Sequence, residues 1–261
     1  MLAAMGPQVL IPQSAEEAAT LYGDGEGTTV FAGGTILMPE IANGRLKPDR
    51  ALLLHRSGLA GIESNDGVVR IGAMTPVAAL AVPAVPALLA EYASQVADYE
   101  VRQSATIGGN ICAPPGREAQ RGDLGAALVA LGARVRSTGK GGERTEPVEE
   151  FLAGDRTGRL VLEIEIDDAE RRTGAAGMRR RHAHSYAVAN VAVAERGGEL
   201  RVGIAGVGPT AVRSRSVEAS RDPADVLRDV EPVDDAVASA EYRRRVLPLL
   251  VRQAIDRLEN A

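Results

Sequence analysis

The sequence predicts a mixed helix-and-strand protein built in two parts. In the first part, short β-prone runs alternate with short helical runs, as far as a strand of alternating polarity at residues 160–166. Residues 167–177 are charged or small and are the best candidate for a domain boundary. Beyond them, three β-prone runs look like antiparallel strands, and an amphipathic helix follows.

Capping and turn residues place the elements of the first part. Ser14 and Glu17 form a capping box, which opens a helix that ends near Gly23. The β-prone residues 28–31 lead into a Gly-Gly turn, and a short helix is expected directly after Gly34. The other elements expected here are strands at 51–54, 68–71, 133–136 and 160–166, helices at 86–97, 124–131 and 148–152, a helix beginning at Thr75-Pro76, and an ordered loop at 101–110.

The second part is predicted to be an antiparallel sheet with helices. Its strands are expected at residues 178–184, 187–195 and 200–206, with a hairpin turn at Gly197-Gly198. Residues 219–230 suggest a loop and a helix. A final helix over 239–258 is expected to place these apolar residues on one side: Val246, Leu249, Leu250, Ile255 and Leu258.

Composition limits the classes of function. The net charge of −5 gives no general reason to expect nucleic acid as a partner. The most apolar stretch, residues 78–90, contains two prolines and is too short to span a bilayer, and no signal peptide is visible. We therefore expect a cytoplasmic protein without a membrane partner. The single cysteine, Cys112, excludes an intramolecular disulfide and a cysteine-ligated metal centre, and we expect it to be a small buried residue.

Two glycine pairs are the main functional signal. They lie in Ala32-Gly33-Gly34-Thr35 and in Thr106-Ile107-Gly108-Gly109-Asn110, and each precedes a residue that can hydrogen-bond. Glycine permits a positive φ and lets a ligand approach the main chain closely. Successive N–H groups in such a turn attract anions. Two such turns could therefore grip the two phosphates of a dinucleotide.

The sequence resembles the FAD-binding (medium) subunit of the molybdenum hydroxylases, the family of xanthine dehydrogenase and carbon monoxide dehydrogenase. The resemblance covers nearly the whole chain and rests on both glycine turns in order, with Arg102 ahead of the second. It also rests on Leu131-Gly132-Ala133, on Val207-Gly208-Pro209-Thr210 with Arg213, and on Ser239-Ala240-Glu241-Tyr242-Arg243. The implied fold is α+β: a two-subdomain FAD-binding module (PCMH-like) over residues 1–170, then an antiparallel sheet with helices over residues 171–261.

The resemblance also implies where FAD binds. FAD would lie extended between the subdomains, with both glycine turns around its pyrophosphate. Asp123 resembles an acid that accepts a hydrogen bond from a sugar or ribityl hydroxyl, Leu162 an apolar residue packed near the flavin, and Arg179 a basic residue near its ring. Donors to the phosphates and neighbouring groups would come from Ala32, Gly33, Gly34, Thr35, Ile36 and Leu37 on one side, and from Thr106, Ile107, Gly108, Gly109 and Asn110 on the other. No metal ligand and no catalytic side chain is implied.

Some of these residues also have simpler explanations. Asp123 suits the N-cap of the helix that follows it. His182 and His184 alternate along an expected strand, but no third metal ligand is evident, so a structural role is favoured. Tyr92 and Tyr99 suit the core or the surface as well as a place beside the flavin.

Two departures from the family pattern leave more than one function open. Ile36 stands where the family often has Asp, and the segment 113–122 is longer than the common form. Our first hypothesis is a subunit that transfers electrons from an iron–sulfur partner subunit to a final acceptor, with the molybdenum cofactor on another subunit. The alternative is a stand-alone FAD-dependent oxidoreductase that acts on a small molecule. A scaffold that no longer binds flavin is the third.

Overall fold

The first subdomain carries a small parallel sheet. The computed structural model of the protein describes residues 6–114, 121–180 and 186–261. The elements of this subdomain are strand β1 (Gln8–Leu10), helix α1 (Ala15–Tyr22), strand β2 (Thr28–Phe31), helix α2 (Leu37–Ala42) and strand β3 (Arg50–Leu53). β3 lies between β1 and β2 and pairs in parallel with both. The Glu17 N–H donates to the Ser14 hydroxyl at 3.1 Å and caps α1, as the sequence predicts.

The second subdomain is an antiparallel sheet with helices. Its strands are β4 (Ile62–Asn65), β5 (Val68–Gly72), β6 (Arg134–Gly139), β7 (Arg144–Pro147) and β8 (Arg159–Asp167). Its helices are α3 (Ala87–Ser94), α4 (Tyr99–Ser104), α5 (Ile107–Ile111), α6 (Gly125–Ala130) and α7 (Val148–Ala153). The strand order is β4-β5-β8-β6-β7, so the long strand β8 is central. Its alternating residues Ile164 and Ile166 are buried in the core, as their spacing predicts.

The C-terminal part is a four-stranded antiparallel sheet with two helices. Its elements are β9 (Arg172–Arg179), β10 (Ala187–Arg196), β11 (Glu199–Ala205), β12 (Val212–Arg213), α8 (Arg215–Ser220) and α9 (Ala240–Glu259). The strand order is β12-β11-β10-β9. Short 3-10 helices occur at Leu54–Arg56, Val77–Leu80 and Pro223–Arg228. The predicted hairpin turn at Gly197-Gly198 is confirmed, and both glycines have positive φ.

Helices cover both faces of the C-terminal sheet. α6 packs on one face, where a Cβ atom at Gly203 would lie 2.1 Å from the Ala126 carbonyl oxygen. α9 packs on the other face, where a Cβ atom at Gly174 would lie 2.1 Å from the Ala254 carbonyl oxygen. Because α6 belongs to the second subdomain, the largest apolar cluster contains residues from both sides of position 170, such as Ile164 and Ala192.

Three local expectations are wrong. Residues 101–110 are not an irregular loop, because they form most of α4 and α5. Thr75 does not cap a helix, because its hydroxyl bonds to the backbone N–H and carbonyl of Gly61. A short 3-10 helix follows it instead. Asp123 is not the N-cap of α6 either, since Leu124 holds that position and makes no side-chain cap.

Two expectations about the C-terminal part need correction. The first strand of its sheet begins at Arg172 rather than at residue 178, and residues 181–185 of the expected strand lie outside the described residues. In α9, Leu249 is 59% exposed, so it does not share the buried face of Val246, Leu250 and Leu258. The Ser239 hydroxyl caps this helix as expected. Within the described ranges, no helix combines the length and apolarity needed to cross a membrane.

Candidate functional site

A cavity of about 370 Å³ lies between the two subdomains and the beginning of strand β10. Its volume falls in the range of small-molecule sites, roughly 300–1,000 Å³. One wall is the segment from Ala32 to Leu37, the opposite wall comes from the regions of α4 and α5, and Tyr186 adds an aromatic side chain. Asp123 and Arg121 also line it.

The first glycine turn presents a row of unused backbone donors. The N–H groups of residues 33–37 donate no hydrogen bond within the described part of the chain. Gly34 has a φ of +70°, a value that favours glycine. The turn then leads into the N-terminus of α2. Five successive amides with no acceptor among the described residues make a concavity suited to an anion.

Gly33, in the same turn, packs closely against the backbone of Ser104 and Ala105. A Cβ atom at this position would lie 1.9 Å from the Ser104 carbonyl oxygen and 3.0 Å from Ala105 Cα. Glycine is therefore required for the first turn to pack against the chain that leads into the second. This contact brings the two Gly-Gly pairs to the same cavity.

The second glycine turn is the beginning of helix α5, and its amides are already bonded. The Gly109 N–H donates to the Thr106 hydroxyl at 3.1 Å, while the N–H groups of Ile107 and Gly108 donate to the carbonyls of Thr75 and Ala73. The Asn110 N–H donates to the Thr106 carbonyl. Neither glycine has a positive φ.

The expectation that these four amides bind phosphate is therefore not supported by the hydrogen bonds of this structure. What this turn presents to the cavity is the Thr106 hydroxyl and the Asn110 side chain. Asn110 Oδ1 accepts a hydrogen bond from the Leu124 N–H at 3.1 Å, which ties the turn to the segment that carries Asp123.

A strained loop between α3 and α4 supplies another part of the wall. Ala97 lines the cavity with a φ of +40°, which is unfavourable for a residue with a Cβ atom. The Arg102 guanidinium holds this loop, because its Nη1 donates to the carbonyls of Val96 at 2.8 Å and Ala97 at 2.9 Å. Asp98, also at the cavity, caps α4 by accepting from the Val101 N–H.

Asp123 is a buried carboxylate at the cavity. Burial raises its pKa above the usual range, while the Arg179 guanidinium and the backbone N–H of Ala187 oppose this shift. Its Oδ1 lies 3.8 Å from Arg179 Nη2 and 3.5 Å from Asn190 Nδ2. A carboxylate held in this way can accept a hydrogen bond from a ligand hydroxyl.

Two arginines near this carboxylate keep unused donor atoms. The Nε and Nη2 atoms of Arg179 and the Nε atom of Arg121 are buried without a hydrogen-bond acceptor among the described residues. A buried donor that lacks an acceptor is costly. This end of the cavity therefore suits a ligand with carbonyl or anionic oxygen atoms.

The cavity brings together most of the site residues expected from the sequence. Those that line it are Ala32, Gly33, Gly34, Thr35, Ile36, Leu37, Thr106, Gly109, Asn110 and Asp123. Arg179 reaches it through Asp123. Ile107, Gly108 and Leu162 do not line it: Ile107 and Leu162 belong to two apolar clusters, and a Cβ atom at Gly108 would meet Ala73 at 2.8 Å.

Other expectations about single residues have mixed outcomes. Tyr92 is a core residue whose hydroxyl donates to the Val191 carbonyl at 2.6 Å, and Tyr99 is 64% exposed. Cys112 is exposed at the cavity, so its expected burial is wrong. His182 and His184 lie outside the described residues. In the described ranges, no group of three His, Cys, Asp or Glu side chains could hold a metal ion.

Sequence reasoning missed several cavity residues, among them three with polar groups that could meet a ligand. Tyr186, Asp98 and Arg121 all line the cavity, but none belongs to a motif. The one available signal was the capping pattern at Asp98, which predicts a helix start rather than a ligand. Asn190 was missed because a single asparagine within the apolar run of residues 187–194 carries no motif.

Comparison with known proteins identifies the family. Residues 4–167 match the family described as the FAD binding domain in molybdopterin dehydrogenase, which is more than half of the chain. The chain belongs to this family. FAD is therefore its cofactor, and the chain is an FAD-dependent oxidoreductase.

The relatives of this FAD-binding chain resemble it along almost its whole length. The carbon monoxide dehydrogenase medium chain of Hydrogenophaga pseudoflava is 29% identical, over 94% of each chain. Protein YgfM of Escherichia coli K12 is 30% identical, over 94% of this chain and 93% of the other. The structure of the Hydrogenophaga pseudoflava enzyme that lacks the Mo-pyranopterin moiety contains a chain with a TM-score of 0.84, 26% identity and 99% coverage of each chain. The α+β fold expected from the resemblance is thereby confirmed.

The described residues fit FAD. The unused amides of residues 33–37 suit a pyrophosphate, and the Asp123 carboxylate suits a ribityl or sugar hydroxyl. The unused nitrogen atoms of Arg179 and Arg121 suit the oxygen atoms of a flavin ring or a phosphate. Membership of an FAD-binding family thus agrees with the polar groups that have no hydrogen-bond partner in the described part of the chain.

Proposed function

We propose that this chain is the FAD-binding subunit of a molybdenum hydroxylase and transfers electrons between an iron–sulfur partner subunit and a final acceptor. The molybdenum cofactor would reside on a third subunit. The observation that carries the proposal is a row of five amides that find no acceptor among the described residues, on a cavity that is also lined by the buried carboxylate of Asp123 and by Arg121. The relatives named as medium chains of carbon monoxide dehydrogenase support the subunit role.

The residues of this chain would bind and orient the cofactor. The amides of residues 33–37 would hold the pyrophosphate, and the Thr106 hydroxyl and Asn110 side chain would face it from the other wall. Asp123 would accept from the ribityl chain, and Arg179 would lie toward the ring. Bound FAD would supply the redox chemistry.

No described side chain is required as a general acid or base. The cavity holds one buried carboxylate, and this group is already surrounded by Arg179, Asn190 and the Ala187 N–H. Such a carboxylate is suited to fixing a ligand hydroxyl. This chemistry agrees with an electron-transfer subunit, which needs a positioned cofactor and a nearby partner cluster.

The first test measures whether the purified chain contains FAD. A flavin absorption spectrum, with FAD released on denaturation, is the expected result. FAD should bind much more tightly than riboflavin, because riboflavin lacks the pyrophosphate that the amide cradle holds. Pyrophosphate itself should compete with FAD. Equal affinities for FAD and riboflavin would show that the amide cradle does not hold the phosphates.

The second test addresses the subunit role. A tagged chain isolated from its native host should copurify with iron and molybdenum, measured by metal analysis, in a fixed ratio to FAD. Anaerobic addition of small-molecule donors should reduce the flavin of this assembly but not that of the isolated chain. If the isolated chain is reduced directly by a small molecule and copurifies with neither metal, the stand-alone oxidoreductase is the correct reading.

A further inference from the structure

The largest fully buried side chain of the described structure is an arginine that lies away from the cavity. Arg243 belongs to α9 and has no exposed surface. Its guanidinium donates from Nε to the Val188 carbonyl at 3.0 Å, and from Nη1 to the carbonyls of Val233 at 2.6 Å and Ala238 at 2.9 Å. Nη2 forms an ion pair with Asp235 at 2.7 Å. Burial is therefore balanced by four polar contacts, of which one reaches the C-terminal sheet.

The contact on the sheet is made at an irregular position. The pairing of β10 with β9 shifts between Ala187 and Ala189, so Val188 is the additional residue of a bulge. In an uninterrupted ladder, Val188 would lie opposite Arg179, but in this structure Ala187 does. Side chains alternate between the two faces of a sheet. One additional residue in a strand therefore moves the side chains that precede it to the opposite faces. The bulge therefore decides whether the Tyr186 side chain lies on the cavity side of the sheet.

Residues on both sides of this bulge belong to the site. Tyr186 lines the cavity, and the Ala187 N–H approaches the Asp123 carboxylate. On the other side of the bulge, Asn190 Nδ2 lies 3.5 Å from Asp123 Oδ1. Gly177 pairs with Asn190 and leaves room for it, since a Cβ atom at Gly177 would lie 2.6 Å from Asn190 Oδ1.

We propose that Arg243 is a positioning residue for the FAD site. Its bond to the Val188 carbonyl holds the bulge of β10, and the bulge places Tyr186 at the cavity and the Ala187 N–H beside Asp123. The inference rests on the proposed role of Asp123 in binding FAD. It assigns to α9, which lies outside the matched residues 4–167, a part in building the cofactor site.

The Arg243–Asp235 pair suits this purpose because both side chains are buried and Nη2 contacts the carboxylate at 2.7 Å. Burial raises the pKa of Asp235, but hydrogen bonds from Arg243 and from the backbone N–H groups of Ala238 and Val237 outweigh it and hold the pKa below the usual value. Asp235 therefore keeps its negative charge across the neutral range. A fork of planar donors then fixes the Val188 carbonyl in a way that a lysine ammonium does not reproduce.

The test compares two buried arginines in the full-length chain. Arg243→Lys keeps a positive charge but loses the planar fork. Arg159→Lys is the matched control, because Arg159 is also buried and also bonds to main-chain carbonyls, those of Ser137, Lys140 and Gly142, which do not line the cavity. The dissociation constant of FAD, measured by flavin fluorescence on the apoprotein, should rise roughly tenfold for Arg243→Lys and stay within about twofold for Arg159→Lys.

The pH profile separates positioning from a loss of stability. The groups that surround Asp123 are Arg179 of β9, Asn190 of β10, the Tyr92 phenol of α3 and, two residues before it, Arg121. In the wild type, the FAD affinity should change with pH at a midpoint that Asp123→Asn abolishes. Arg243→Lys should move this midpoint to higher pH, because the Ala187 N–H that lowers the pKa of Asp123 is displaced. Arg159→Lys should leave it unchanged.

If Arg243→Lys does not fold, a second variant tests the positioning role of Arg243. Asp235→Asn keeps the guanidinium and its carbonyl contacts but loosens the pair, so it should shift the FAD affinity and the pH midpoint in the same direction by a smaller amount. Equal behaviour of the Arg243 and Arg159 variants, with FAD bound normally by the wild type, would overturn the positioning role alone. A wild-type chain that takes up no FAD would overturn the proposed function as well.

Discussion

The contact between the two glycine turns can be tested by adding one methyl group. In Gly33→Ala, the new Cβ atom would lie 1.9 Å from the Ser104 carbonyl oxygen. Real Cβ atoms do not approach closer than 3.0 Å, so the turns must separate by about 1.1 Å. Overpacking of this kind costs about 1–3 kcal/mol. If FAD requires the closed arrangement, the cost appears in binding, and the dissociation constant of FAD should rise about 5- to 150-fold.

The assay is titration of the apoprotein with FAD, followed by flavin fluorescence, together with the thermal midpoint of unfolding with and without FAD. Gly208→Ala is the matched control, because it also adds one methyl group, its φ is not positive, and its nearest neighbour is the Glu231 carbonyl oxygen at 3.5 Å. The control should bind FAD as the wild type does. Wild-type affinity in Gly33→Ala would refute the reasoning, since it would mean that the approach of Gly33 to Ser104 does not shape the site.

Three further predictions follow from the same structure. Ala97→Gly should relieve the strain of the positive φ and stabilise the chain by on the order of 1 kcal/mol. Because Arg102 bonds to the Ala97 carbonyl, Ala97→Gly should also restore part of the FAD affinity that Arg102→Gln loses, and a double-mutant cycle would measure this. Asp123→Asn should raise the thermal midpoint of the apoprotein at neutral pH. Because the pKa of Asp123 is raised in the folded chain, its contribution to stability is fully present below the usual carboxyl pKa of 3.8. This contribution is lost as the pH rises through the pKa of the folded state. The gain in thermal midpoint from Asp123→Asn should therefore vanish in acid. Gly203→Ala should lower the stability of the chain by about 1–3 kcal/mol in chemical denaturation, because its Cβ atom would meet the Ala126 carbonyl oxygen at 2.1 Å, while FAD affinity in the folded fraction stays within about twofold.

The sequence was most informative where structure depends on neighbours along the chain. Ser14 and Ser239 cap their helices, and Gly197-Gly198 makes its hairpin, because each of these motifs depends on residues within four positions. Residues 101–110 were misread for a related reason: α4 and α5 are too short to show a helical period.

The glycine turns show what local reasoning cannot distinguish. Both turns carry a Gly-Gly pair, and both were expected to offer free amides to phosphates. Only Gly34 has a positive φ, whereas Gly33 and Gly108 are glycine because another part of the backbone passes close by. The partners that use up the second turn's amides include Ala73 and Thr75, which lie about thirty positions away. A requirement that arises from such distant neighbours is visible only in the folded structure.

The domain boundary predicted from composition near residue 170 does not divide the hydrophobic core, because one apolar cluster contains residues from both sides of it. α6 lies on the C-terminal sheet, and Arg179 and Asn190 of that sheet lie close to the Asp123 carboxylate, while Tyr186, directly before β10, lines the cavity. The matched FAD-binding residues end at 167, so Tyr186 and part of the surroundings of Asp123, namely Arg179 and Asn190, belong to chain outside the match. Because the cavity wall at Tyr186 depends on a bulge that Arg243 holds from α9, changes at Arg243 should affect the binding of the cofactor. The C-terminal part is therefore better understood as a structural component of the FAD site than as an appended domain.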